Sequence, residues 1–180
     1  AAAFEAGADA VELDVHATRD GHLAVLHDEV LECRTDGRGR PEDHTLDELR
    51  ALDLGYGYTS DGVTFPLRGR GRGLLVELPE VYAAFPDRAF VVDIKAGDSR
   101  VGDLVADVLE DLPTPERSRQ WVYGAVPAVE RVEQRLPEVR TFTRPGTREC
   151  LKRNLAVGWL GIVPEVCRGT FLLAPLDYTW

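Results

Sequence analysis

From Ala10 to His16 apolar and polar residues alternate with a period of two, which sends Val11, Leu13 and Val15 to one side of an extended chain and Glu12, Asp14 and His16 to the other. The pattern predicts a strand near 10–15 with one apolar face and one face that carries two carboxylates and an imidazole. The segment Arg19-Asp20-Gly21 breaks the run as a tight turn, and a second strand near 23–27 projects Leu23, Val25 and His27 together. A third, near 89–95, sets Asp93 and Lys95 opposite Phe90, Val92 and Ile94. Further strands are expected near 120–124, 139–143 and 170–174.

Between the strands the period lengthens. Thr45 stands three residues before Glu48, the spacing of a capping box, so a short helix is expected to begin there. Val101, Leu104, Val105, Val108 and Leu109 follow helical spacing, and Val129, Val132 and Leu136 mark another helix. Residues 147–168, with Leu151, Leu155, Trp159, Leu160 and Ile162, read as one long helix or two broken ones, interrupted at Gly158 and Gly161. Residues 53–76 read as a loop over a site. Within it the Arg-Gly alternation from Arg68 to Gly73 lacks the strand-to-helix setting of a phosphate loop and reads as a flexible linker. Strands followed by alternating helices and strands indicate an α/β protein with a largely parallel sheet, in a single domain.

Composition narrows the function classes. An excess of 31 acidic over 21 basic residues, net charge −10, argues against a broad nucleic-acid or anionic-membrane footprint while allowing a local cation site. Membrane association is left open, and no membrane-facing hydrophobic loop stands out. No apolar run reaches the roughly 20 residues that span a bilayer, no secretory leader is visible, and a cytoplasmic location is the default expectation. Cys33, Cys150 and Cys167 have neither metal-ligand spacing nor the look of a disulfide framework, so reduced thiols are expected. Methionine is absent, and the opening Ala1–Gly7 resembles a helix tail without a capping residue, so the chain reads as part of a longer protein.

Like charges on one strand face repel, and crowding carboxylates is costly unless a cation joins them. Glu12 and Asp14 could form a solvated face of an ordinary sheet. Polar alternation in two strands of a covered parallel sheet instead favours a site in which Glu12, Asp14 and Asp93 offer oxygens to a hard cation. Lys95 could hold an anionic oxygen, and His27 is either a structural histidine or a proton-transfer group. His16 is read as a possible helper or a partner of a nearby carboxylate, His22 as exposed, and His44 as shaping the start of a helix. Asp28 and Arg34 could line a substrate mouth or a turn, and Tyr56, Tyr58 and Phe65 could cover it or simply pack the loop.

These motifs, Glu12-Leu-Asp14 with Arg19-Asp-Gly21, His27-Asp28, Arg34-Thr35, Thr45–Arg50 and Asp93-Ile-Lys95, resemble those of the glycerophosphodiester phosphodiesterases. The resemblance implies a TIM-type (β/α)8 barrel with its site at the C-terminal ends of the strands. It also implies a divalent metal, Ca²⁺ or Mg²⁺, held by Glu12, Asp14 and Asp93, with His27 as one of two catalytic histidines and Lys95 near the substrate phosphate. The family's third ligand is usually glutamate, and Asp93 is shorter by roughly 1.5 Å. The His-Arg-Gly motif of the family's first strand is absent, as is an eighth strand, so an incomplete barrel is expected that lacks the first catalytic histidine and is inactive by itself. The implied reaction is hydrolysis of a small-molecule glycerophosphodiester to glycerol 3-phosphate and an alcohol. Alternatives are phospholipase D-like action on lysophospholipids and a noncatalytic module that binds a phosphate headgroup or a protein.

Overall fold

The computed structural model describes residues 1–95 and 97–168. A short helix α1 (Ala2–Glu5) leads into β1 (Ala10–Ala17), which pairs antiparallel with the three-residue β2 (Leu23–Val25). Helices α2 (Leu46–Arg50) and α3 (Leu78–Ala84) precede β3 (Ala89–Ile94). Helix α4 (Ser99–Glu110), the single turn α5 (Thr114–Arg117), β4 (Trp121–Gly124), α6 (Val126–Arg135), β5 (Arg140–Thr143) and α7 (Arg144–Val157) follow. The sheet order is β2-β1-β3-β4-β5, and β1, β3, β4 and β5 run parallel. Four parallel strands amount to about half of an eight-stranded barrel. The strand expected at 170–174 lies outside the described residues.

Alternation decides which face is which. Val15, Phe90, Val92, Ile94 and Val122 are buried against α3, α4 and α6, where Leu78, Tyr82, Val101, Val105, Leu109, Ala128 and Val132 meet them. Each large apolar side chain buried in this way contributes about 1.5–3 kcal/mol. Asp98 caps α4 by accepting the Val101 N–H at 3.1 Å, and Gly102 lets α4 and α6 approach so closely that a Cβ there would lie 2.1 Å from the Ala128 carbonyl oxygen. At the N-terminal ends of the strands the buried Gln120 accepts the Phe90 N–H (2.9 Å) and donates to the carbonyls of Arg88 (3.1 Å) and Glu116 (2.9 Å), clasping β3 to the start of β4.

The connection from β2 to β3 has a core of its own: Ala24, Leu31, Leu46, Leu49 and Leu75. Its Arg-Gly run is not a flexible linker. The Asp53 carboxylate accepts backbone N–H groups from Gly55 (3.1 Å), Gly69 (2.5 Å) and Gly71 (2.8 Å), which gathers the loop around one anion. Gly71 is obligatory there, since a Cβ would fall 2.3 Å from the Gly55 nitrogen. The Gly69 amide is the main reason that the Asp53 carboxyl stays below its ordinary pKa. Arg68 lies between the rings of Tyr56 and Phe65, 4.0 Å from each centroid, so those aromatics pack the loop itself.

The expectation of reduced thiols is corrected at the end of the chain: Cys150 and Cys167 form a disulfide that ties the segment after α7 back to that helix, while Cys33 is free and exposed. The chain turning back after α7 places the two Cα atoms 4.9 Å apart, a proximity that a 17-residue spacing does not reveal. Among the described residues no helix is long and apolar enough to cross a membrane.

Candidate metal and phosphodiester site

Parallel pairing brings the acidic residues together. Asp14 stands directly across from Asp93 in the β1–β3 register, and Glu12 lies two residues back on the same side of β1. One carboxylate oxygen from each of Glu12, Asp14 and Asp93 falls within 4.8 Å of the others. The shorter Asp93 side chain reaches the group because its backbone is in register with Asp14.

Two cations counter this charge. Lys95 Nζ bridges Asp14 Oδ1 (2.5 Å) and Asp93 Oδ2 (2.9 Å), and an Arg144 NH2 group donates to Asp93 Oδ1 (2.7 Å) and to the Ile94 carbonyl (3.1 Å). Burial pulls the Lys95 ammonium toward neutrality, but its bonds to Asp14 and Asp93 prevail and hold its pKa above the ordinary value. Glu12 keeps an exposed edge, yet the protein crowding its carboxyl, then the charge of Asp14 and a hydrogen bond shared with it, push its pKa up to about 7. A carboxyl that holds its proton this firmly marks a place short of positive charge. The all-oxygen donor set suits a hard divalent cation, and the three residues could hold one.

His27 is anchored from the same strand pair. The Leu26 N–H donates to the Asp14 carbonyl (3.0 Å), so His27 is one residue beyond the backbone rung that carries Asp14. Its Nδ1 meets Asp28 Oδ1 at 3.0 Å, Arg34 Nε holds Asp28 Oδ2 at 3.2 Å, and the imidazole is largely exposed. β2 ends at Val25, so His27 leaves the sheet instead of continuing a strand to residue 27. Arg34 also lies 4.7 Å from the Tyr58 ring centroid, and Asp28, Arg34, Tyr58 and Thr59 line a cavity of about 390 Å³.

The other histidines stand apart. His16 is fully buried with Nδ1 on Glu42 (2.9 Å), His22 pairs with Glu77 (2.8 Å), and His44 Nε2 meets the Arg38 carbonyl (2.9 Å) before α2. Sequence reasoning missed Arg144. Its signal was position: it follows the last residue of β5, at the strand end where a barrel places its chemistry.

A family model, the glycerophosphoryl diester phosphodiesterase family, matches residues 1–109, a span that contains Glu12, Asp14, His27, Asp93 and Lys95. The chain belongs to the glycerophosphoryl diester phosphodiesterase family. It is 40% identical over 95 residues to a glycerophosphodiester phosphodiesterase of Caldanaerobacter subterraneus subsp. tengcongensis, a match covering 52% of this chain and 35% of that protein. Against a glycerophosphodiester phosphodiesterase of Bacillus subtilis the identity is 33% over 99 residues, 53% of this chain and 33% of the relative. Among solved structures, a glycerophosphoryl diester phosphodiesterase domain from Mycobacterium tuberculosis superposes with TM-score 0.71 at 26% identity, over 87% of this chain and 56% of that one. A phosphodiesterase from Oleispira antarctica in complex with the product sn-glycerol-3-phosphate shares the fold at TM-score 0.60 and 21% identity, over 79% of this chain and 56% of that one. The chain thus spans about half the length of these solved family structures, as four parallel strands of an incomplete TIM-type barrel would.

Proposed function

We propose that the chain carries the metal-binding part of a phosphodiesterase that hydrolyses glycerophosphodiesters to glycerol 3-phosphate and an alcohol. The observation behind this reading is the convergence of Glu12, Asp14 and Asp93 at the ends of two paired parallel strands, with Lys95 and Arg144 on the same carboxylates. The names of the relatives and the product bound to the Oleispira neighbour support the choice of substrate.

Glu12, Asp14 and Asp93 would hold Ca²⁺ or Mg²⁺, which supplies charge stabilisation at a phosphoryl oxygen. Lys95 has three N–H donors, two of them given to Asp14 and Asp93, and the third would serve a phosphoryl oxygen. An ionised carboxylate only accepts, so the His27 Nδ1–H donates to Asp28 and leaves Nε2 to take a proton or, when protonated, to give one to the departing alkoxide. Arg34 keeps Asp28 oriented for that task.

The test uses the full-length protein. Release of glycerol 3-phosphate from glycerophosphocholine is expected only with added Mg²⁺ or Ca²⁺, and Asp14→Asn and His27→Ala should each lower the rate at least about 100-fold. Asp14→Asn should also abolish the rise in melting temperature that the cation produces. The 180 residues alone, which lack a His-Arg-Gly motif, should gain thermal stability from the cation without turnover. Undiminished activity in both variants would overturn the assignment.

A further inference from the structure

Arg144 reaches the acidic cluster across an intervening strand. Ile94, Gly124 and Thr143 form one rung through β3, β4 and β5. Arg144, the residue after that rung, sends its guanidinium back over β4 to the Asp93 carboxylate (2.7 Å) and the Ile94 carbonyl (3.1 Å). The middle of the rung leaves no room for a side chain: a Cβ on Gly124 would fall 2.9 Å from the same Ile94 carbonyl oxygen that receives the guanidinium. Tyr123, directly across from Asp93 on β4, holds its ring centroid 5.6 Å from the Arg144 Cζ. Ring, carboxylate and carbonyl thus fix a planar cation by one of its NH2 groups, and among the described residues nothing accepts from its Nε or its other NH2 group. Lys95 holds the second oxygen of Asp93 at 2.9 Å. Two cations therefore flank one carboxylate, and each keeps an N–H donor in reserve.

We propose that Arg144 binds the substrate phosphate, holding a non-bridging oxygen through its unused N–H groups beside Lys95; the inference rests on the phosphodiesterase reading of the site. The charges of the cluster support it. With all three carboxylates ionised, Lys95 and Arg144 leave the group with a single negative charge, which a bound divalent cation turns into a single positive one. A phosphodiester carries one negative charge and neutralises it. Without Arg144 the cation-loaded group would already be neutral and would not attract the anion. A guanidinium stays protonated at any working pH, and its bonds to phosphate oxygens are of the strong, charge-assisted kind. In the sheet order β2-β1-β3-β4-β5, Arg144 approaches the cluster from β5 and His27 from β2. A phosphoryl group over the cluster thus meets Arg144 on one side and the proton-transfer group on the other.

The experiment is calorimetric titration of the full-length protein, first with Mg²⁺ or Ca²⁺ and then, once saturated with the cation, with sn-glycerol 3-phosphate. Arg144→Gln should bind the cation at least as tightly as the parent, because a like charge has been withdrawn, and glycerol 3-phosphate at least about tenfold more weakly. Arg144→Lys, which keeps a cation beside Asp93 and so guards against loss of the fold, should match the parent in cation binding and still bind glycerol 3-phosphate more weakly. Cation binding weakened in Arg144→Gln at an unaltered thermal transition would show that the residue only holds the Asp93 carboxylate, and would overturn the proposal. So would equal affinity of the parent and both variants for glycerol 3-phosphate, or a cation-loaded parent that binds none. If the expected pattern appears in a parent that releases no glycerol 3-phosphate from glycerophosphocholine, the phosphate contact stands and the proposed reaction falls.

Discussion

Glu12 carries the most consequential ionisation in the site, because burial and the neighbouring Asp14 raise its pKa from 4.5 to about 7. A carboxyl whose folded-state pKa lies above its unfolded value opposes folding once ionised. The penalty is absent below about pH 4.5, grows through the interval up to 7 and is complete above it. A divalent cation held by the cluster would remove the penalty by replacing the proton. Binding at pH 6 should therefore release close to one proton, and binding at pH 8.5 almost none; calorimetric titration in buffers of different ionisation enthalpy reads this directly. Asp14→Asn, which withdraws the like charge, should abolish the difference. Much of this cluster was legible before folding, since strand alternation alone placed Glu12 and Asp14 on one side and Asp93 with Lys95 on another strand. Arg144 was not, because its role depends on a register between β3 and β5 that no local pattern encodes.

Local signals succeeded at the level of elements wherever they were chemically complete. Thr45 and Glu48 form a reciprocal capping box at α2, with the Thr45 N–H on Glu48 at 2.8 Å and the Glu48 N–H on Thr45 Oγ1 at 3.2 Å. The period of α4 gives its buried stripe Val101, Val105 and Leu109. Helix α3 escaped because Glu77 does the work of the usual Ser or Thr cap, with its own N–H on Glu80 (3.0 Å), and because an apolar run before it, Leu74 to Val76, conceals the start. The linker reading failed for a related reason: a single buried anion, Asp53, orders glycines up to 18 positions away. The closest helix contact yields a firm prediction. Gly102→Ala thrusts a methyl group against the Ala128 backbone, where nothing flexible can yield, and should lower stability by about 1–3 kcal/mol in urea denaturation.

Seen whole, the molecule is half a barrel whose apolar face is closed by α3, α4 and α6 and whose opposite face gathers charge at one end of the strands. Parallel order followed from the alternation of helices and strands. The antiparallel placement of β2 and the pairing of Cys150 with Cys167 did not, since both are set by contacts between segments. The clasp by Gln120 has a consequence for how the sheet breathes. One end of β3 and β4 is pinned by three hydrogen bonds around a neutral amide, whereas at the other Asp93 of β3 stands in a cluster of three carboxylates that only Lys95 and Arg144 counter. Without a cation the strands should unzip from their carboxyl ends, so deuterium should enter the Asp93 and Tyr123 amides well before those of Phe90 and Val122. Mg²⁺ or Ca²⁺ should slow the first pair and leave the second unchanged.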